Sequence, residues 1–173
     1  GINPPLKLII TISTFFKIIK HYNKFIKKVI KVKDKSLEKS LQRANSGGTH
    51  KFLNTKFLNL EDGFYKYELV FSNQCLNPFK TVQGGMIASA IDEITSISVN
   101  ILTKDEYLPS STDIHVTFHR PLFEGKIFGT AKIVKLGKQM VSVEGRLYSS
   151  SGKIAATGLH TALLVKTTDI DNN

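Results

Sequence analysis

The feature that most constrains this chain is a single long apolar stretch opened by two adjacent glycines. From Gly84-Gly85 to about Leu102, the residues Met86, Ala90, Ile94, Ile97 and Ile101 recur at helical spacing, which predicts a helix with a buried face. Thr95–Val99 is rich in β-branched residues and Ser, a composition that holds an isolated helix poorly. Such a helix needs other elements packed around it. The flanking sequence supplies strands. Phe57–Leu60 and Tyr65–Phe71 are joined at Glu61-Asp62-Gly63, a turn signal. After Pro109, the residues Thr112, Ile114, Val116 and Phe118 alternate with Ser111, Asp113, His115, Thr117 and His119 until Pro121. Lys126–Leu136, Met140–Tyr148 and Ile154–Val165 follow, separated by turns at Gly137-Lys138 and Ser150-Ser151-Gly152. Two strands, one long helix and four hairpin strands predict an α+β layer fold, one helix against an antiparallel sheet.

Charge divides the chain before that fold begins. Of a formal +10, eight Lys fall in residues 1–33, which hold no acid, so the rest carries only about +2. Leu8, Ile12, Phe15, Ile19, Tyr22, Ile26 and Val29 alternate at spacings of four and three, an amphipathic helical stripe. Lys7 and Lys17 interrupt it, which argues against a membrane span. Three readings stay open: an arm lying on an anionic membrane surface, an organelle-import segment, or a helix packing on the domain or a partner. Nucleic-acid binding is not expected, since the arm lacks Arg and its broad apolar stripe asks for burial. Asp34 to Gly48 is polar and ends in Ser-Gly-Gly, with a short helix expected around Leu37–Ala44. This gives two parts, 1–35 as a basic amphipathic arm and 36–173 as the folded domain. Cys75 is the only cysteine and no Asn-x-Ser/Thr sequon occurs, which points to an intracellular protein of the cytoplasm or mitochondrion.

Several familiar signatures fail. Gly152-Lys153 lacks the first glycine and the following Ser/Thr of a phosphate loop, and there is no Gly-x-Ser-x-Gly elbow. His115 and His119 lie on a strand, where four residues span about 13 Å, too far for one ion; no metal site is expected. What remains is the start of the long helix. Two glycines there let a ligand approach backbone N–H groups that have no intrahelical partner and sit at the positive end of the helix dipole. Gly85, Ser89, Asp92, Ser96 and Val99 share a face that is small apart from Asp92. A carboxylate on a mostly apolar helix is costly to desolvate without a partner or a purpose. The bland alternative is a solvated Asp-Glu pair beside an ordinary glycine turn.

The run Asn77-x6-Gly84-Gly85-x6-Asp92 resembles the PaaI-type acyl-CoA thioesterases of the hotdog superfamily. So do Ser111–Pro121, Gly137-Lys138 and Gly152–Thr161, in the right order across roughly residues 50–165. The resemblance implies a hotdog fold, a central helix wrapped by a curved antiparallel sheet, in a dimer or tetramer with active sites at the subunit interface. It implies hydrolysis of acyl-CoA without a cofactor. The Gly84 N–H, helped by Asn77, would polarise the thioester carbonyl. Asp92 from the partner subunit would act as general base or nucleophile, and Ser111 would orient the water. Gln83 and Gly85 would contact substrate, and Lys138 and Arg120 would meet coenzyme A phosphates. The sequence departs from the family at Gln83, commonly His, and at Lys80, frequently Gly. The alternatives are a non-catalytic hotdog module that binds acyl-CoA or a protein, and a hotdog dehydratase, for which Gln83 removes the obvious His.

Overall fold

The computed structural model describes residues 35–171. The basic arm, with the helix and membrane contact expected of it, lies outside the described residues. Two short helices, α1 (Lys35–Ser46) and α2 (Gly48–Phe52), precede strands β1 (Lys56–Glu61) and β2 (Phe64–Phe71). A 3₁₀ turn at Asn73–Cys75 and an ordered loop lead into α3 (Gly84–Leu102). Strands β3 (Tyr107–Phe118), β4 (Gly125–Leu136), β5 (Met140–Tyr148) and β6 (Ile154–Lys166) follow, and α4 (Thr167–Asp171) closes the described chain.

All six strands form one antiparallel sheet in the order β1-β2-β4-β5-β6-β3. It curves around α3, the α+β hotdog layout that the resemblance implies. The alternation of buried and covered positions along β2 and β5 puts Tyr65, Tyr67, Leu69, Phe71, Val141, Val143 and Leu147 into the core with Ile87, Ile91 and Ile94 of α3. The helix lies close to the sheet because Gly145 and Gly158, paired across β5 and β6, leave room for it. A Cβ at either position would come within 2.8 Å of Ile91 Cγ2, closer than real carbon contacts. The poor helix former Thr95 is accommodated because its hydroxyl bonds back to the Ile91 carbonyl at 2.7 Å.

Two details differ from the sequence expectation. Strand β3 begins at Tyr107 and runs through Pro109, which is tolerated because β3 is an end strand of the sheet. It also carries a β-bulge. Ser111 pairs with Ala162 and Asp113 with Thr161, so two steps on β3 match one on β6. Simple alternation groups Ser111 with Asp113 and His115. The bulge instead turns Ser111 to the side of buried Ala162, towards the helix, and leaves Asp113 facing outwards.

Candidate active site

The first helical turn of α3 holds the first half of the site. Gln83 is its N-cap, and its side-chain oxygen accepts from the Met86 N–H at 3.2 Å. The Met86 and Ile87 amides also reach the Gln83 carbonyl, at 2.9 and 3.2 Å. Among the described residues, nothing accepts from the amides of Gly84 and Gly85. Two donors therefore stand unspent at the positive end of a 19-residue helix. The preceding loop is stiffened by Asn77. Its Oδ1 accepts from Phe79 N–H at 2.9 Å and Thr81 N–H at 3.2 Å, while its Nδ2 donates to Thr81 Oγ1 at 2.8 Å. One hydrogen of the Asn77 amide has no partner in this turn. Lys80 sits in the same turn with φ of 59°, a conformation glycine adopts more readily.

The second half is two turns further along. Asp92 Oδ1 accepts from Ser111 Oγ at 3.2 Å and lies 3.5 Å from His160 Nε2. His160 Nε2 is 3.0 Å from Ser111 Oγ, and its Nδ1 is 2.8 Å from Thr95 Oγ1. When the single Thr95 hydrogen turns from the Ile91 carbonyl to His160, donation from Thr95 to His160, from His160 to Ser111 and from Ser111 to Asp92 forms one chain that ends on the carboxylate. Burial differs sharply along it. The Asp92 side chain is 46% exposed and that of His160 1%, so the chain is anchored in the core and opens at the carboxylate. Burial holds the His160 pKa below its usual value, although Asp92 and Asp113 pull the other way; the ring is neutral near pH 7.

Glu93 takes no part in this chain. It turns to His50 of α2, with Oε1 3.1 Å from His50 Nδ1. Burial first, and Asp92 second, push its pKa up to about 7. The adjacent acids thus have separate surroundings, Asp92 solvated and Glu93 fastened to the N-terminal helices.

Lys138 and Arg120 are far apart. Arg120 N–H donates to the Ala155 carbonyl, whereas Leu164, beside the Gly137-Lys138 hairpin, donates to Gln139. The nine residue steps of β6 from Ala155 to Leu164 span about 30 Å. Lys138 helps line an open cleft of about 510 Å³ with Leu102, Tyr107, Leu136 and Leu164, at the end of α3 remote from Gly84. Within one protomer, Gly84 and Asp92 are also separated, by eight residues of helix or about 12 Å.

Sequence reasoning did not single out His160. A signal was available: Ala156, Gly158, His160 and Ala162 alternate along β6 and all are buried. A lone large polar side chain among small inward-facing residues needs a partner, and Thr95, Ser111 and Asp92 supply it.

Comparison with known proteins gives a consistent result. The family model described as the thioesterase superfamily matches residues 79–156, which include Gly84, Asp92 and Ser111. The proofreading thioesterase EntH of Klebsiella pneumoniae is 28% identical over 109 residues, covering 62% of this chain and 80% of that protein. Among solved structures, a phenylacetic acid degradation-related protein of Ralstonia eutropha is 26% identical with a TM-score of 0.65, covering 72% of this chain and 98% of that one. The E. coli PaaI protein from the phenylacetic acid degradation operon has a TM-score of 0.63 at 19% identity, covering 73% and 94%. It shares the fold.

Proposed function

We propose that this chain, whose residues 79–156 match the thioesterase superfamily model, hydrolyses acyl-CoA thioesters at a site shared between two copies of itself. The observation that carries this reading is the pairing of unspent donors with a poised acceptor on one helix: the free Gly84 and Gly85 amides and the Ser111-supported Asp92 carboxylate. Each half alone lacks what the other has, and 12 Å of helix keeps them apart in one protomer.

A second copy brings them together. Residues 84 and 92 are equidistant from Ala88. An antiparallel copy of α3 related by a two-fold axis through Ala88 sets each Gly84 opposite the other chain's Asp92. The face this requires is left uncovered or half covered by the protomer: Gly85, Ala88, Ser89, Asp92 and Ser96. These side chains are small enough for helix axes about 8–10 Å apart. Strand β3 is 12 residues long, lies at the sheet end and offers an unpaired edge for the same association. In that arrangement, the Lys138 cleft of one copy approaches the Gly84 end of the other, and Arg120 and Lys138 can serve one coenzyme A from different subunits.

The chemistry follows. The thioester carbonyl oxygen accepts from the Gly84 and Gly85 amides, with Asn77 of the preceding loop as a further donor. These donors are fixed before reaction and stabilise the oxyanion as it forms. Asp92 takes a proton from a water held with Ser111, and the hydroxide adds to the carbonyl carbon. Collapse of the tetrahedral intermediate breaks the carbon–sulfur bond, giving the carboxylic acid and the coenzyme A thiolate, which takes up a proton. Attack by Asp92 itself, followed by hydrolysis of the anhydride, uses the same geometry. His160 positions Ser111 and touches neither substrate nor water. The test is release of free thiol from acyl-CoA by the wild-type protein beside Asp92→Asn. Turnover abolished in a folded variant supports the reading. Binding of acyl-CoA with no turnover by the wild type would point to the non-catalytic module instead.

A further inference from the structure

Gly84 has a neighbour whose purpose the proposed hydrolysis does not by itself explain. Phe118 is the last residue of β3 and pairs with Ala156. The register places it on the same side of the sheet as Ile114 and His160, facing α3. Its ring tip fills the space a side chain at 84 would occupy. A Cβ there would lie 3.3 Å from Phe118 Cζ, 3.6 Å from Cε1 and 3.8 Å from Cε2. Two consequences follow. A side chain at Gly84 would press on the ring tip, which would have to give by a few tenths of an ångström, and the ring lies beside the residue whose amide would receive a carbonyl oxygen.

Half of that ring has no cover. Phe118 is 53% exposed within the protomer, with its ring tip against Gly84, the residue that carries one of the two free amides. A carbonyl held by those amides has two substituents, a thiol arm rich in amide groups and an acyl group of carbon and hydrogen. Covering an aromatic face favours the apolar one. Carbons next to the carbonyl are the first atoms to reach the ring.

We propose that Phe118 is a specificity-determining residue whose exposed face forms the wall against which the acyl group lies, so that the enzyme favours acyl groups with apolar bulk near the carbonyl over acetyl. This rests on the reading of Gly84 as the carbonyl-binding amide. The ring does not supply or remove a proton; it selects which thioesters are held in place for attack.

The experiment compares kcat and KM for acetyl-, hexanoyl-, decanoyl- and phenylacetyl-CoA with the wild type, Phe118→Leu, Phe118→Ala and Phe118→Tyr. The expected result is a change of preference. The ratio of kcat/KM for hexanoyl- or phenylacetyl-CoA to that for acetyl-CoA falls about tenfold in Phe118→Ala. The fall is carried mainly by KM, is smaller in Phe118→Leu and is absent in Phe118→Tyr. A purely structural role would scale all four substrates alike, and that outcome, or unchanged ratios, overturns the proposal while leaving the hydrolase reading intact. Should Phe118→Ala fail to fold, the ratios for Phe118→Leu and Phe118→Tyr decide. A wild-type protein that turns over none of the four overturns the hydrolase reading, and the role of Phe118 with it.

Discussion

The two ends of α3 are finished in opposite ways. At the C-terminal end, nearly everything is fastened. Ser40 Oγ donates to the Asn100 carbonyl at 3.1 Å, Asn100 Nδ2 returns a bond to the Ser40 carbonyl at 3.2 Å, and Asp105 N–H closes on the Asn100 carbonyl at 2.9 Å. The Asp105 carboxylate is fully buried between Lys39 at 2.9 Å and Arg43 at 2.7 Å. Burial alone would raise its pKa, but the bonds to Lys39 and Arg43 prevail and lower it. At the N-terminal end, a side-chain cap takes one amide, and two are left with nothing to do. A helix held only by its hydrophobic face could slide or fray at both ends. Locking one end allows the other to keep unsatisfied donors in place. If the proposed site is correct, stability and reactivity are assigned to different turns of one helix, and substitutions should separate them.

The largest separation is expected at Asp92. Asp92→Asn keeps size and hydrogen bonding but cannot accept the proton. It should lower kcat by about 10²–10⁴-fold, with a melting temperature within a degree or two of wild type by calorimetry. A comparable loss of stability would mean that the carboxylate is structural. The reverse case is Asp105→Asn, which removes the negative charge between Lys39 and Arg43 and turns one of the two acceptor oxygens into a donor at the locked end. Because Lys39 and Arg43 can still turn to water, the expected loss is about 2–3 kcal/mol of unfolding free energy in urea titrations, with kcat unchanged at temperatures where the protein is folded. A matching fall in kcat would show that the two ends are not independent.

How much of this was legible in the sequence depends on what each feature needs. The helix could be read from Met86 to Ile101 because its period is local, and the Gly84-to-Asp92 spacing could be read because both lie on that helix. Ser111 could be named through the resemblance, but not its direction. Period-two alternation puts it on the wrong face, and only the bulge between Ser111 and Asp113 corrects that. A bulge is a property of strand pairing, which one strand's sequence does not display. His160 was hidden for a related reason: its partners lie 49, 65 and 68 positions away in sequence. The partner of Glu93, His50 of α2, is likewise distant in sequence.

Two smaller effects sharpen the contrast. His160→Gln breaks the chain that aims Ser111 at Asp92. A cost of about 1–2 kcal/mol, or about five- to thirtyfold in kcat, is expected, with KM little changed. A role in packing alone would lower stability and leave kcat at full value. The smallest effect is at Glu93. Its pKa is raised from 4.5 to about 7 in the fold, so the folded chain keeps a proton that the unfolded chain has lost. That contribution is complete below pH 4.5 and is lost as pH rises through about 7. Glu93→Gln stays uncharged throughout. Relative to wild type it should gain stability as pH rises from 5 to 8, by on the order of 1–2 kcal/mol, measured as the difference in thermal unfolding at the two pH values. A difference independent of pH would show that Glu93 ionises freely.

The convergence of two subunits on one carbonyl can be tested by complementation. Gly84→Val, which obstructs the amide end, and Asp92→Asn are each inactive in this account. Unfolded together and refolded as a mixture, they form hybrid dimers with one site carrying both defects and one carrying neither. The prediction is recovery to about a quarter of wild-type thiol release from acyl-CoA, since half the dimers are hybrids with one working site each. Hybrid dimers that form, as seen by mass spectrometry of the intact complex, yet release no thiol would contradict it, because Gly84 and Asp92 would then have to act within the same chain.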